Sequence, residues 1–377
     1  MPSTPAAAVA NPRFRLLDGL RLVAALMVVA YHYFGRNQPF WGEPVPELFP
    51  LASKFASYGA LGVQLFFIIS GFVILMSAQG RPIASFVASR ISRLFPAYWF
   101  AVLATAAMMT WLAAPGMFRQ PSIEDVLLNL TMTQEAFGAP SIDGVYWTLW
   151  VELLFYVLVA VMVLIGITER RVLALAFLWP LIGAIAMTMG DGFIAELLSA
   201  QYAPFFAAGM VLYLIYQHGH STLRWLVFGF ASLSGIYQTV THYVLGPMSA
   251  NTGRELSPLI ATLILIGLLA VVAIATLTPL AHRGPRWLVV AGLLTYPVYL
   301  IHENWGWWMI SWLSPLIGKW PTVAATTLTV LVAAWLIERF IERPLRPRLS
   351  NAIKRSLGAP GKRPGESPED SRSSVAA

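Results

Sequence analysis

Runs of about twenty apolar residues recur along this chain, and that is the length a helix needs to cross the hydrocarbon core of a bilayer. Ten windows of this kind stand out: 17–35, 59–78, 95–114, 145–166, 172–189, 197–216, 223–245, 257–280, 287–310 and 321–341. Lipid offers no hydrogen bonds to an open backbone, so such a chain must satisfy its own amides within helices. The expected fold is all-α: a polytopic integral membrane helix bundle of about ten transmembrane helices. Composition points the same way. Only 11% of the 377 residues are charged, less than half the roughly 25% of a soluble domain, so the chain cannot cover itself with a polar surface.

The flanks differ. Residues 1–13 and 346–377 are rich in Pro, Ala, Ser, Gly or Arg and read as disordered tails around one membrane domain, 14–345. Arg13 and Arg15 before an apolar run raise the question of a secretory signal. Asp18 and Arg21 interrupt that run, and no small-residue cleavage site follows it. Segment 124–136 is amphipathic and too short to span, so it is expected at the interface or as a re-entrant piece.

Charge placement gives an orientation. With residue 1 inside, nineteen lysines and arginines fall on the inner side, five (Arg36, Lys54, Arg119, Arg254, Lys319) fall outside, and Arg21 lies within the first span. Positive charge collects on the cytoplasmic side, so an even number of spans with both termini inside is expected. The net charge of +7 is therefore read as membrane orientation, not as a nucleic-acid footprint. The absence of cysteine excludes disulfides, thiolate metal sites and a thiol nucleophile; no metal site is expected.

Ionisable residues at membrane depth are costly, and they are the candidates for function. The first span carries Asp18, Arg21 and His32. At 100° per residue, Arg21 and His32 return to within about 20° of each other some 16 Å along the axis, and Asp18 falls within about 40° of His32. All three line one face. Asp18 and Arg21 can also pair as a purely structural i, i+3 couple. Glu152, in the fourth span, lies about 10 Å below the outer surface. His302 and Glu303, about fifteen residues into the ninth span, reach a similar level, as does His32. Three segments distant in sequence thus place His, Glu and His at one depth, which suggests a polar cavity open to the outside. Glu303 facing water, and Glu152 merely bridging helices, are the plainer alternatives. On the inner side Arg90 and Arg93 sit at i, i+3, where two guanidinium forks suit a polyphosphate or simply anchor the helix at the headgroups. Ser70-Gly71 reads as helix packing rather than as a nucleophile.

These residues fall in ordered blocks. Leu17-Asp18-Gly19-Leu20-Arg21 with Tyr31-His32, the run from Gly62 to Phe72, Arg90-Ile91-Ser92-Arg93-Leu94-Phe95-Pro96, the run from Trp147 to Tyr156, and Tyr296-Pro297-Val298-Tyr299-Leu300-Ile301-His302 follow one another across 14–345. Together they resemble the membrane-bound acyltransferase 3 family, which moves acyl groups onto cell-surface carbohydrates and related acceptors, mostly in bacteria. Gln64 and Leu153 depart from the pattern, standing where many members carry Asp and a second Glu.

The resemblance implies a multi-pass O-acyltransferase of the bacterial inner membrane. It would take an acyl group, expected to be acetyl, from cytoplasmic acyl-CoA as co-substrate, with no permanently bound cofactor. The acceptor would be a hydroxyl of a cell-surface or lipid-linked carbohydrate. Arg90 and Arg93 are then the candidates for the coenzyme phosphates, with Asp18 and Arg21 organising the donor path. A hydroxyl needs a base near neutral pH, and imidazole titrates in the useful range. His32 is the candidate base or a transient acyl carrier. Glu152 would orient it or hold the acceptor, and His302, Trp147 and Tyr146 would support the acceptor side. A transporter or flippase for a lipid-linked sugar is the alternative, since buried charge also serves a substrate path, but no inverted repeat or matching pair of broken helices is evident.

Overall fold

The computed structural model describes residues 14–358; the expected tail 1–13 and the part of the C-terminal tail from 359 onward lie outside the described residues. Every described element is helical. Among the described residues seven helical segments are long and apolar enough to cross a membrane: Arg15–Gly35, Ala52–Ala78, Ile83–Trp111, Gly144–Ile165, Glu169–Met189, Pro258–Leu277 and Lys319–Ser356. These coincide with seven of the ten expected windows. The other three windows also fall on helices, but shorter or less uniformly apolar ones.

The elements that position the site can be numbered in chain order. Helix α1 is Arg15–Ala30 and runs on into a π-helical turn, Tyr31–Gly35. Helix α2 is Gly62–Ala78 and α3 is the long Ile83–Trp111. Helix α4, Ile123–Thr131, is the amphipathic segment expected not to span. Its start is fixed by a capping box, in which Ser122 Oγ accepts from Asp125 N–H and the Asp125 carboxylate accepts from Ser122 N–H. Then come α5 (Trp147–Ile165), α6 (Glu169–Met189), α7 (Ala203–His218), α8 (Thr222–Thr239) and α9 (Pro258–Leu277).

Helix α7 is the centre of the bundle: every residue from Ala203 to Ile215 is buried. It packs on α2 through facing glycines. A Cβ on Gly209 would come 3.0 Å from Gly71 Cα and run into the Ile68 carbonyl oxygen, and a Cβ on Gly71 would meet Phe206 in the same way. Apolar burial gives little drive between helices in lipid, so close backbone approach at small residues supplies the packing. The packing reading of Gly71 is thus what the structure contains. Helices α6 and α8 are tied by Arg224, whose guanidinium donates to Glu169 at 2.7 Å and to the carbonyls of His218 and Gly219.

Two expectations need correction. The window 287–310 is not one helix. It is α10 (Trp287–Ile301) and α11 (Asn304–Ile317), broken at His302-Glu303. The Asn304 N–H, which a continuous helix would give to a carbonyl one turn back, goes to Asp143 Oδ2 at 3.2 Å, and Asn304 Nδ2 donates to Ile142 O at 3.0 Å. The chain before α5 therefore cuts into the helix ladder and holds it open. The second correction concerns the tail. After α12 (Lys319–Ile337) and a π-helical turn at Glu338–Glu342, Arg343–Ser356 forms a helix, α13, that lies against α3. Composition had pointed to disorder there. Docking on α3 orders it instead.

Candidate active site

The predicted cationic residues meet in one cavity. Arg21 from α1, Arg90 and Arg93 from α3, Ser70 from α2 and Glu152 with Tyr156 from α5 line a partly open cavity, together with Tyr296 and Tyr299 of α10. Glu152 accepts from Tyr156 OH at 2.7 Å and from Ser70 Oγ at 3.3 Å. Arg90 is buried between the rings of Phe86 and Tyr156, at 5.7 and 5.8 Å, and donates to Ser77 Oγ and Ser89 Oγ. Its Nε has no hydrogen-bond partner. Asp18 sits 3.7 Å from Arg21, where Gly292 of α10 leaves room for it: a Cβ at 292 would be 2.7 Å from Asp18 Cβ. Three guanidiniums face two carboxylates, so the cavity favours an anion.

The histidines form a second cluster. His32 lies in the π-helical turn that follows α1, a feature frequent at functional sites. His302 lies at the break between α10 and α11. Their rings meet, with His302 Nε2 3.1 Å from His32 Nδ1. The protons can be assigned from the partners. His302 Nδ1 faces the Tyr299 and Val298 carbonyls at 2.8 and 3.2 Å, and His32 Nδ1 faces the Val28 carbonyl at 2.9 Å. A carbonyl only accepts, so both Nδ1 atoms carry hydrogen and His302 Nε2 accepts from His32. His32 Nε2 is left with its lone pair, 3.6 Å from Glu303 Oε1.

Glu303 belongs to the site and is buried, at 1% exposure; the reading in which it faces water does not hold. Its Oε1 accepts from Arg36 at 2.9 Å, and Arg36 in turn stacks over Trp307 at 5.3 Å. Glu303 packs on the Gly144 backbone so closely that a Cβ at 144 would lie 2.7 Å from both carboxylate oxygens. Asp143, fully buried beside it, accepts from Val145 N–H and Asn304 N–H. Trp307 Nε1 donates to His32 O, and Tyr33 OH donates to His302 O. These bonds hold the backbone at the two histidines.

Sequence reasoning brought His32 and His302 to one level, and they touch. Of the four residues that the resemblance assigned to the donor path, Arg21, Arg90 and Arg93 line one cavity and Asp18 stands beside Arg21. The carboxylate expected to orient His32 was Glu152, but Glu152 lies in the arginine cavity and Glu303 stands beside the imidazole. Tyr299 separates the two regions. Its ring is a wall of the cavity and packs 5.6 Å from the His302 ring, while its hydroxyl is 2.7 Å from Thr148 Oγ1. Tyr146 is fully buried, donating to Leu300 O and packing on Tyr98. Trp147 packs on Tyr202 and lines a different cleft with Glu135 and Trp150. Neither reaches the histidines. Arg36, Asp143, Asn304 and Trp307 were missed. The one sequence signal for them was the adjacency of Glu303 to His302. Among the described residues no group of three or more His, Asp or Glu side chains is placed to hold a metal ion.

A multi-helix membrane bundle with an arginine-lined cavity adjoining a buried histidine pair is the class of protein this defines. The chain belongs to the acyltransferase 3 family, whose acyltransferase domain it matches over residues 14–339. It is 31% identical over 157 residues to an O-acetyl transferase of Shigella phage Sf6, a stretch covering 39% of this chain and 45% of that one. It is 35% identical over 112 residues to an exopolysaccharide production protein of Rhizobium meliloti, covering 27% and 33%. It is 26% identical over 149 residues to the acyltransferase MdmB of Streptomyces mycarofaciens, covering 38% of each. The matched stretches thus span less than half of each of these relatives. No solved structure matches the fold.

Proposed function

We propose that the protein is a membrane O-acyltransferase that takes an acyl group, acetyl in the first instance, from acyl-CoA and transfers it to a hydroxyl of a cell-surface or lipid-linked carbohydrate. The names of the Shigella phage and Rhizobium meliloti relatives support the acetyl group and the carbohydrate. The observation that carries the reading is the histidine pair. His32 is held as an Nδ1–H imidazole with its Nε2 lone pair free and a buried carboxylate 3.6 Å away, which is the equipment of a general base.

In this reaction the acceptor hydroxyl gives its proton to His32 Nε2 as its oxygen attacks the thioester carbonyl. The tetrahedral intermediate collapses, the carbon–sulfur bond breaks, and the coenzyme leaves as a thiolate that is then protonated. Glu303 faces the imidazolium as it forms, and His302 keeps the ring oriented. The arginine cavity holds the donor, with Arg90, Arg93 and Arg21 toward its phosphate end and its arm passing Tyr299 so that the thioester reaches the histidine pair. With the three remaining helical windows counted as spans, the chain crosses the inner membrane ten times with both termini inside, so the donor enters from the cytoplasm.

The test is transfer of label from acetyl-CoA to a panel of glycans by protein in detergent or vesicles. We expect transfer by the wild type and none by His32→Ala. Arg93→Ala should lose transfer at low acetyl-CoA and regain it at high concentration. A wild-type protein that neither transfers nor hydrolyses acetyl-CoA, and is not stabilised by it, would overturn the reading in favour of a lipid-linked sugar transporter.

A further inference from the structure

We propose that the groove between α13 and the start of α3 is a second phosphate site, which takes the 3′-phosphate of the donor coenzyme. The inference rests on the donor reading above and adds to it the nucleotide end of the ligand.

The groove is lined by Arg81, Ser85, Ser89 and Ser92 on one side and by Arg346 and Lys354 on the other. Three cations converge on it, and no carboxylate is among its lining residues. Positive charge alone would be ordinary for an inner-side loop. The hydroxyls are not ordinary. Ser85, Ser89 and Ser92 recur at i, i+4 and i+7 along α3, and Arg346, Ser350 and Lys354 at i, i+4 and i+8 along α13, so each helix turns one polar face into the gap. Serine is a poorer helix former than alanine; Ser92 is buried and donates back to Ser89 O at 3.5 Å, which leaves Ser85 and Ser89 as the hydroxyls turned to the gap. Hydroxyl, guanidinium and ammonium donors together are the set that binds a phosphate ester. Arg346 keeps its charge available, since its ion-pair neighbour Glu342 lies at 4.0 Å, the outer limit for such a pair.

The groove also adjoins the arginine cavity. Ser89 lines the groove and accepts at 3.3 Å from Arg90, which lines the cavity, and Ser92 precedes Arg93, which does too. A ligand with phosphates at one end and a long arm at the other fits this continuity. Arg90 and Arg93 at the junction meet the diphosphate, the arm enters the cavity, and Arg81, Arg346 and Lys354 meet the 3′-phosphate outside. An anionic lipid headgroup has the same phosphate chemistry and is the competing occupant. It would not need the passage into the cavity.

Binding of CoA and of dephospho-CoA, which lacks only the 3′-phosphate, would be measured by calorimetry. The full chain would be used in phosphatidylcholine nanodiscs and in nanodiscs containing phosphatidylglycerol. We expect the wild type to prefer CoA by about tenfold, equivalent to about 1.4 kcal/mol. In Arg346→Ala/Lys354→Ala, CoA affinity should fall to that of dephospho-CoA, whose own affinity is unchanged. Arg346→Lys should retain most of the preference. A double variant that keeps the full preference overturns the proposal while leaving the donor reading intact. A double variant whose only change is lost dependence on phosphatidylglycerol assigns the groove to a headgroup and also overturns it. A wild type that binds CoA and dephospho-CoA equally overturns it too. A wild type that binds neither takes down the donor reading as well.

Discussion

Replacing Glu303 with glutamine keeps the shape of the side chain and removes one charge beside His32. If His32 accepts a proton in the transition state, that charge is what the reaction loses. At 3.6 Å, Coulomb's law with an effective dielectric of about 20 gives about 4.6 kcal/mol between full unit charges. A proton about half transferred carries about half of that, roughly 2.3 kcal/mol, which is a factor of about fifty in rate. Arg36 is left without its partner by the change, but it reaches the surface, with 27% of its side chain exposed, and water can solvate it. The arginine cavity is lined by other residues. We therefore expect Glu303→Gln to lower kcat for transfer from labelled acetyl-CoA by about fifty-fold with KM for the donor unchanged. Glu303→Asp, which keeps the charge at a longer reach, should recover part of the loss. Thermal unfolding of the same preparations separates this from a folding defect. A kcat within about threefold of wild type, or a raised KM with kcat preserved, would refute the assignment of Glu303 to the imidazolium.

Two further outcomes test the framework that holds the site. Gly209→Val places two extra branches where even a Cβ meets the Ile68 carbonyl; it should destabilise the protein by about 1–3 kcal/mol or more, read as a lower midpoint of thermal unfolding in detergent. Ser122→Ala removes the capping box of α4 and should cost about 1 kcal/mol. It should also raise amide exchange in Ile123–Thr131 while leaving acetyl-CoA turnover near wild type.

The helices were legible because apolar length is a strong signal, and the depth of each buried charge follows from counting residues along a helix. That is why His32 and His302, in segments 270 positions apart, could be placed at one level before their contact was seen. Glu152 shows where counting stops. Its depth was readable, but its neighbour was not, because azimuth between helices depends on packing. The Gly71–Gly209 and Asp18–Gly292 contacts set that packing, and they are pairings that a single sequence does not reveal. The break at His302-Glu303 was invisible for a related reason. Its cause is Asp143, in a segment some 160 residues earlier, whose carboxylate takes the N–H of Asn304. Helix α13 was hidden by composition, since a stretch dense in Arg and Pro looks unable to fold until a surface is present for it to dock on.

Helix α1 joins the two halves of the proposed reaction. Its Arg21 lines the cavity, and the π-helical turn that continues it carries His32 at the histidine pair, eleven residues on and about 16 Å along the axis. A compact donor such as an acyl phosphate keeps its charge next to the carbon to be transferred. Held by the arginines, it would present that carbon a full helix half-length from the base, whereas attack needs the reacting atoms within about 3–3.5 Å. A donor whose phosphates and thioester stand at opposite ends of a long arm has no such difficulty. The rigidity of α1, pinned by Asp18 against Gly292 at one end and by Trp307 bonding His32 O at the other, fixes the spacing. In the proposed reaction the same helix that places the base would also select the length of the donor, and the charge at one end and the imidazole at the other would be two parts of one requirement.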